Sequence, residues 1–340
     1  LNGGALAVDA GEFSGSSTSG YAIFNGYLTS PIGSGDQFLS SLALDAAGNV
    51  YMGDSPQNGS GQVAVFPPNL GCAGPVKTLQ GSTTTLQSAQ SVAVDAAGYV
   101  YVSNAGYVGY YSQQYGELSC GFTQIALFAP LKPGTQNVAP LATITDPVPQ
   151  SVSSCEAAQN TTQADKLAIA LDAHGNIYAA SYTGNEVFVY PARSGSMLSS
   201  TPIATIQGGV GSTSGIIEPN GIAVDASGRI YVTSRIYGQT PNQAGQPAIA
   251  VFAANPSGTN SESAIAVIEG SNTTLHSPNA VALDRNGDIY VIDDYSSADR
   301  VLEFPANPNG GVNEAPHGTL QPSALYGSGT TIAPAALAAH

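Results

Sequence analysis

Val281-Ala-Leu-Asp-Arg-Asn-Gly-Asp-Ile-Tyr-Val-Ile-Asp-Asp294 reads as two short apolar strands joined by a tight Asp-x-x-Gly turn. The Asp side chain can accept from backbone N–H groups two residues on, and the Gly takes a positive-φ position without steric cost. The same phrase recurs as Leu42-Ala-Leu-Asp-Ala-Ala-Gly-Asn-Val-Tyr51, Val92-Ala-Val-Asp-Ala-Ala-Gly-Tyr-Val-Tyr101, Ala170-Leu-Asp-Ala-His-Gly-Asn-Ile-Tyr178 and Ile222-Ala-Val-Asp-Ala-Ser-Gly-Arg-Ile-Tyr231. A unit this small cannot bury its apolar face alone, so the copies must stack to make a core.

The turn glycines Gly48, Gly98, Gly175, Gly228 and Gly287 stand 50, 77, 53 and 59 residues apart. Behind each hairpin comes a third strand ending in an aromatic residue: Val63-Ala-Val-Phe66, Ile125-Ala-Leu-Phe128, Val187-Phe-Val-Tyr190, Ala250-Val-Phe252 and Val301-Leu-Glu-Phe304. A Gly/Asn/Pro loop then leads to a fourth, as in Ala142-Thr-Ile144, Ile203-Ala-Thr-Ile206 and Ile265-Ala-Val-Ile268. Period-2 alternation, β-branched residues and turn clusters predict four antiparallel strands per unit, and no segment has helical periodicity. Three of the intervals fit one blade of a β-propeller, and the long one carries an insertion over about 104–165.

Pro219-Asn-Gly-Ile-Ala-Val-Asp-Ala-Ser-Gly-Arg-Ile-Tyr-Val232, and Val291-Ile-Asp-Asp294 leading to Arg300-Val-Leu-Glu-Phe304, resemble NHL-type propeller repeats. The resemblance covers nearly the whole chain and is specific for fold rather than function. Pro334-Ala-Ala-Leu-Ala-Ala-His340 aligns with Pro278-Asn-Ala-Val-Ala-Leu-Asp284, which makes it a lone first strand. Ala5–Val8, Tyr21–Phe24 and Tyr27–Ile32 fit second, third and fourth strands. The expected fold is therefore all-β: a single domain over 1–340, a six-bladed propeller of four-stranded antiparallel blades. Its N- and C-terminal strands, from 1–38 and 332–340, share the closing blade and remove exposed sheet edges.

Charged residues are 9% of the chain, against a usual value of roughly 25%. Lys and Arg total 8 against 23 Asp and Glu, a net charge of −15. Nucleic acid and anionic membrane surfaces both need basic patches, so neither is an expected partner. No apolar run approaches the ~18 residues of a membrane-spanning helix. A Lys-poor polar surface suits an extracellular or cell-surface setting. The chain opens at Leu1 with neither Met nor a basic stretch, which fits removal of a signal segment and fits a trimmed chain equally. Cys120 and Cys155 flank the oversized repeat and are expected to form a disulfide, with Cys72 free or intermolecular; three buried thiols is the alternative.

Alternating strand direction puts the loops from fourth to first strand and from second to third strand on one face. The Asp-x-x-Gly turns lie on the other. Asp284-x-Asn286-x-Asp288 resembles the start of a calcium loop, but Asp45, Asp95, Asp172 and Asp225 lack the further ligands, so turn capping is the expected role and no metal site is expected. His174, His276, His317 and His340 fall in different blades or faces and do not converge. On the interblade-loop face, Asp54, Asn104, Asn220, Asn279 and Asp293 would line a polar funnel for a ligand. In enzymes with NHL-like propellers, among them gluconolactonase-type hydrolases and streptogramin lyases, the resemblance implies a metal or acid/base set there; here amides and hydroxyls dominate.

Tyr107, Tyr110, Tyr111 and Tyr115 crowd one insertion and suit an interaction loop, tyrosine being enriched at interfaces; a loop folded back on its own blade is the other reading. Asn58, Asn160 and Asn272 match the glycosylation sequon. Together these readings give a non-enzymatic structural, self-assembling or adhesive module without a cofactor, able to form oligomers or filaments through its terminal strands. The competing classes are a lactonase- or lyase-type enzyme using the funnel, and a glycan or protein receptor.

Overall fold

The structure, a computed structural model, describes residues 4–8, 21–23, 37–56, 61–68, 75–112, 116–145, 164–209, 212, 214–236, 245–260, 262–294, 300–320 and 334–339. Strands β1 (Gly4–Val8) and β2 (Tyr21–Ile23) precede the first blade, which holds β3 (Gln37–Leu44), β4 (Val50–Pro56), β5 (Gln62–Phe66) and β6 (Lys77–Leu79). Blade two follows as β7 (Ser88–Val94), β8 (Val100–Ser112) and β9 (Gly116–Phe128), with β10 (Gly134–Gln136) on the way to β11 (Ala142–Thr145). Blade three is β12 (Leu167–Leu171), β13 (Ile177–Ser181), β14 (Glu186–Tyr190) and β15 (Ala204–Gln207). Blade four holds β16 (Ile216–Val224), β17 (Ile230–Ile236) and β18 (Gln246–Phe252), with β19 (Gly258–Asn260) before β20 (Ala266–Glu269). Blade five is β21 (Pro278–Leu283), β22 (Ile289–Asp293) and β23 (Arg300–Phe304), with β24 (Gly310–Val312) before β25 (Gly318–Leu320); β26 (Pro334–Ala339) ends the described chain.

The chain folds as a β-propeller, as its NHL-like repeats imply, but with five four-stranded blades and not the expected six. The terminal strands do share a sheet, yet it has three strands in the order β2-β1-β26, and β26 pairs with β1 in parallel. The physical reason lies in connectivity. Every complete blade gets its antiparallel direction from an Asp-x-x-Gly turn that ties its first strand to its second. No such turn joins β26 to β1, so nothing local dictates their direction, and the pairs Leu6↔Leu337 and Ala7↔Ala338 form in parallel. The segment expected as a fourth strand there lies outside the described residues. β26 still packs against β21 and β3, so it closes the ring of inner strands within one chain.

The core lies between blades. Tyr101, Ile125, Leu127 and Ile144 of blade two meet Ile177, Ala179, Phe188 and Tyr190 of blade three, and the other blade pairs repeat the pattern. Short parallel strands add a second interblade device. β10 leaves blade two to pair with β6 of blade one, β19 leaves blade four for β15 of blade three, and β24 leaves blade five for β20 of blade four. Each strap covers an outer edge that would otherwise show unpaired backbone groups.

Candidate functional site

On the turn face the repeated carboxylates are structural. Asp45 Oδ1 accepts from Ala47 N and Asn49 N at 3.0 and 2.9 Å, and Asp95, Asp172, Asp225 and Asp284 repeat the arrangement. Tyr51, Tyr101, Tyr178 and Tyr231 point their buried hydroxyls at the second oxygen of the same Asp. Burial, followed by that carboxylate's charge, pushes each phenol up to about 12. Arg193 Nε donates to Asp95 Oδ2 at 2.7 Å with its guanidinium 3.5 Å from the centroid of Tyr99. Blade five departs from this scheme: Tyr290 hydrogen-bonds Glu303, which burial and the charges of Asp288 and Asp284 push up to about 7. Glu303 is 8% exposed, and its Oε2 has no hydrogen-bond partner among the described residues. Asp288 is turned to Ala306 N, and among the described residues no three His, Cys, Asp or Glu side chains gather as a metal site would require.

On the interblade-loop face the five residues read as funnel lining divide into two groups. Asn104 is fully buried and accepts from Gln87 N and Ser88 N, while its Nδ2 donates to Thr85 O. Asp293, also fully buried, accepts from His276 N and Ser277 N at 2.8 Å and pairs with Arg300, which also donates to Thr274 O. Asp54 is buried on Gln62 Nε2 at 2.7 Å. Asn104 and Asp293 therefore bind down the loop entering their own blade, and Ser234 does the same through Ile217. A buried loop backbone must have its polar groups satisfied, which is why second strands end in polar residues here.

Asn220 and Asn279 stand elsewhere. The pairing of β16 with β17 and of β21 with β22 is irregular where they occur, and an extra residue at a bulge is left out of the ladder. Ser40 and Gln90 hold the equivalent places in blades one and two. The β12–β13 pairing is regular, and just ahead of β12 stands Lys166. Its Nζ donates to Asn220 Oδ1 and to Asn279 Oδ1, both at 3.0 Å, so one side chain of blade three reaches the inner strands of blades four and five. Lys166 is exposed, yet the protein around its ammonium lowers its pKa from the ordinary lysine value by desolvation. Lys166 is the residue that sequence reading missed. The signal available was a lysine immediately before an inner strand of a chain with few cations.

Beside it, Glu218 sits at φ 51, a left-handed conformation that a residue before proline seldom takes. Its N donates to Asn185 Oδ1 at 2.8 Å, and its carboxylate holds the Tyr182 hydroxyl.

The insertion is a hairpin. β8 and β9 continue past the blade through Tyr107↔Gly121, Val108↔Cys120, Tyr110↔Leu118 and Tyr111↔Glu117 to Ser112↔Gly116. Tyr107 is exposed, and Gln87 anchors its backbone by donating to Tyr107 O and accepting from Tyr107 N. A Cβ at Gly106 would lie 2.4 Å from Gln87 Oε1, so glycine is needed where the clamp closes. At the foot of the hairpin is a cavity of about 590 Å³ lined by Gly81, Ser82, Thr85, Leu86, Gln87, Gln124, Thr145 and the half-buried Phe122. The side chains of Tyr110 and Tyr111, and all of Tyr115, lie outside the described residues. So do Cys72, Cys155, Asn58 and Asn160, and with them the expected disulfide. Asn272 is exposed, its Nδ2 donating to Asn313 O at 3.2 Å.

No protein-family model matches the chain, and no curated protein matches it. Among solved structures, a protein of unknown function from Bacteroides caccae is similar at 10% identity over 87% of this chain and 85% of its own, with a TM-score of 0.49. The major Malassezia sympodialis allergen Mala s 1 is similar at 14% identity over 90% and 86%, TM-score 0.49. A gluconolactonase from Xanthomonas campestris is similar at 11% identity over 74% and 68%, TM-score 0.41.

Proposed function

We propose that this propeller is a non-catalytic extracellular binding module that takes a neutral glycan in the cleft beneath the β8–β9 hairpin. The carrying observation is the cavity itself: Ser, Thr and Gln side chains line about 590 Å³ together with Leu86 and the ring of Phe122, and among the described residues that line it none is charged. Sugars present hydroxyl rims and apolar faces, which amides and a ring recognise without a net charge. Gln124 and Phe122 stand on β9 of the rigid blade, while Gln87 fixes the base of the hairpin. A neutral cleft also suits a chain whose charged residues are only 9% of the total, as an extracellular surface of Ser, Thr, Asn and Gln would have it.

The test is calorimetric titration with neutral oligosaccharides of glucose, mannose and galactose. Binding by one series is expected, weakened about tenfold in Phe122→Ala, a change of about 1.4 kcal/mol. Gln124→Ala should weaken it similarly, since a buried sugar hydroxyl left without its partner carries a comparable penalty. Absence of binding to all three series, or binding indifferent to both substitutions, would overturn the reading.

A further inference from the structure

Lys166 raises a question that the glycan cleft does not answer. The chain carries 23 carboxylates and 8 Lys and Arg, yet this ammonium rests on two neutral amides. The carboxylate of Asp165, its neighbour, is turned away: it is fully buried, accepting from Ser181 Oγ at 2.5 Å and Thr183 N at 2.8 Å. Desolvation acts on Lys166 without an offsetting carboxylate among the described residues.

The hydrogen-bond inventory decides what the site is. An ammonium only donates, so Asn220 and Asn279 must both turn Oδ1 toward it, which leaves their Nδ2 groups as donors. Those two bonds occupy two of the three Nζ protons, and the third has no acceptor among the described residues. One ammonium N–H and two amide NH₂ groups, carried by three adjacent blades, make a site composed of donors. Such a site is incomplete until an acceptor-only group occupies it, and a carboxylate offers two oxygens in one plane with about four lone-pair positions. We propose that the axial mouth of the interblade-loop face binds a small monocarboxylate through Lys166, Asn220 and Asn279. The bulges of β16 and β21 present the amides, and the regular β12–β13 pairing leaves room for the lysine stem between them. The site shares no residue with the hairpin cleft, so each can fail without the other.

Lys77, Lys132 and Lys166 are the chain's lysines, which makes each side chain resolvable by NMR. Sodium acetate titrated at constant ionic strength is expected to shift the Lys166 ε-methylene resonances saturably, with a dissociation constant on the order of millimolar for so small a ligand. Lys77 and Lys132 should not move. Asn220→Asp supplies a carboxylate from within and should abolish the acetate response while leaving the fold intact. Wild-type binding should also fade as pH climbs through the lowered pKa of Lys166, because the neutral amine has no charge to offer. Equal shifts at all three lysines, or an undiminished response in Asn220→Asp, would overturn the site. A larger response to inorganic phosphate than to acetate would overturn its assignment to carboxylates.

Discussion

Tyr290 is where the repeat departs from itself. Tyr51, Tyr101, Tyr178 and Tyr231 pair across the blade with Val65, Leu127, Val189 and Val251, but Tyr290 pairs with Glu303. Those four aliphatic residues pack against the following blade, so Glu303 takes the place in blade five that an interblade core residue holds in the other four. Among the described residues its titratable neighbours are Asp288, Asp284 and Tyr290. The folded pKa is raised from 4.5 to about 7, so the folded protein holds a proton that the unfolded chain releases between those values. Stability from this group is therefore fully present below about pH 4.5 and is lost as pH rises through about 7. At one pKa unit per ~1.4 kcal/mol, the loss is at most on the order of 3 kcal/mol. Glu303→Val restores the residue of blade four, and it frees Tyr290 to turn to Asp284 as its counterparts turn to theirs. It is expected to raise stability by about 1–2 kcal/mol at pH 8, where a buried charge is removed. The gain should vanish at pH 4. Urea denaturation of both proteins at the two pH values checks this, and a gain of equal size at both would exclude the titration of Glu303 as its cause.

At the scale of elements, the hairpins were legible and the straps were not, for one reason. A hairpin carries its own pairing: Asp225 to Gly228 sets the turn, and the alternation of Ile222 to Val232 sets the faces. A strap of three residues pairs with a strand of the preceding blade, so no periodicity announces it. Its signal is the turn that precedes it, Asn255-Pro256-Ser257-Gly258 or Asn307-Pro308-Asn309-Gly310, with both asparagines and both glycines at positive φ. The same distinction explains the site. Polar residues at the ends of second strands looked like ligand contacts, but Asn104 and Asp293 are needed by the loops above them. Lys166 was overlooked because its partners come from two other blades. The residue that follows the β24 strap shows how such contacts are locked: Asn313 Oδ1 accepts from Asn272 N at 2.9 Å inside the turn opened by Gly270 at φ 104. A Cβ on Gly270 would lie 2.6 Å from Asn313 Cγ. Gly270→Ala should cost about 2–3 kcal/mol, from strained backbone and collision together. Asn313→Ala should cost about 1 kcal/mol. The double variant should then cost less than the sum, because the collision is gone, and a double-mutant cycle on thermal unfolding measures that difference. Strict additivity would mean that the turn and the strap do not meet.

For the molecule as a whole, closure is the property that the chain ends decide. The alignment of 334–340 with 278–284 identified β26 as an inner strand, and β26 does pack between β21 and β3. What the alignment could not supply was direction, since the two ends that must pair are far apart in sequence and share no turn. Their parallel pairing leaves five blades and a three-stranded sheet, with the join made inside one chain. A ring joined in this way has its inner strands occupied on both sides, whereas an opened ring would offer β3, β1 and β21 to another copy. The intact protein is accordingly expected to be monomeric in dilute solution. Removing 334–340 should leave blades one to five packed, because the described cores lie between successive blades. The truncated chain should instead associate head to tail, in a contact that need not close. Light scattering coupled to size exclusion, run over a hundredfold range of concentration, separates the cases. A concentration-dependent mass in the truncated chain alone fits closure within one molecule. A polymer formed equally by the intact protein would show that β26 is given to a neighbour, and adding a peptide of residues 334–340 should then cap its growth.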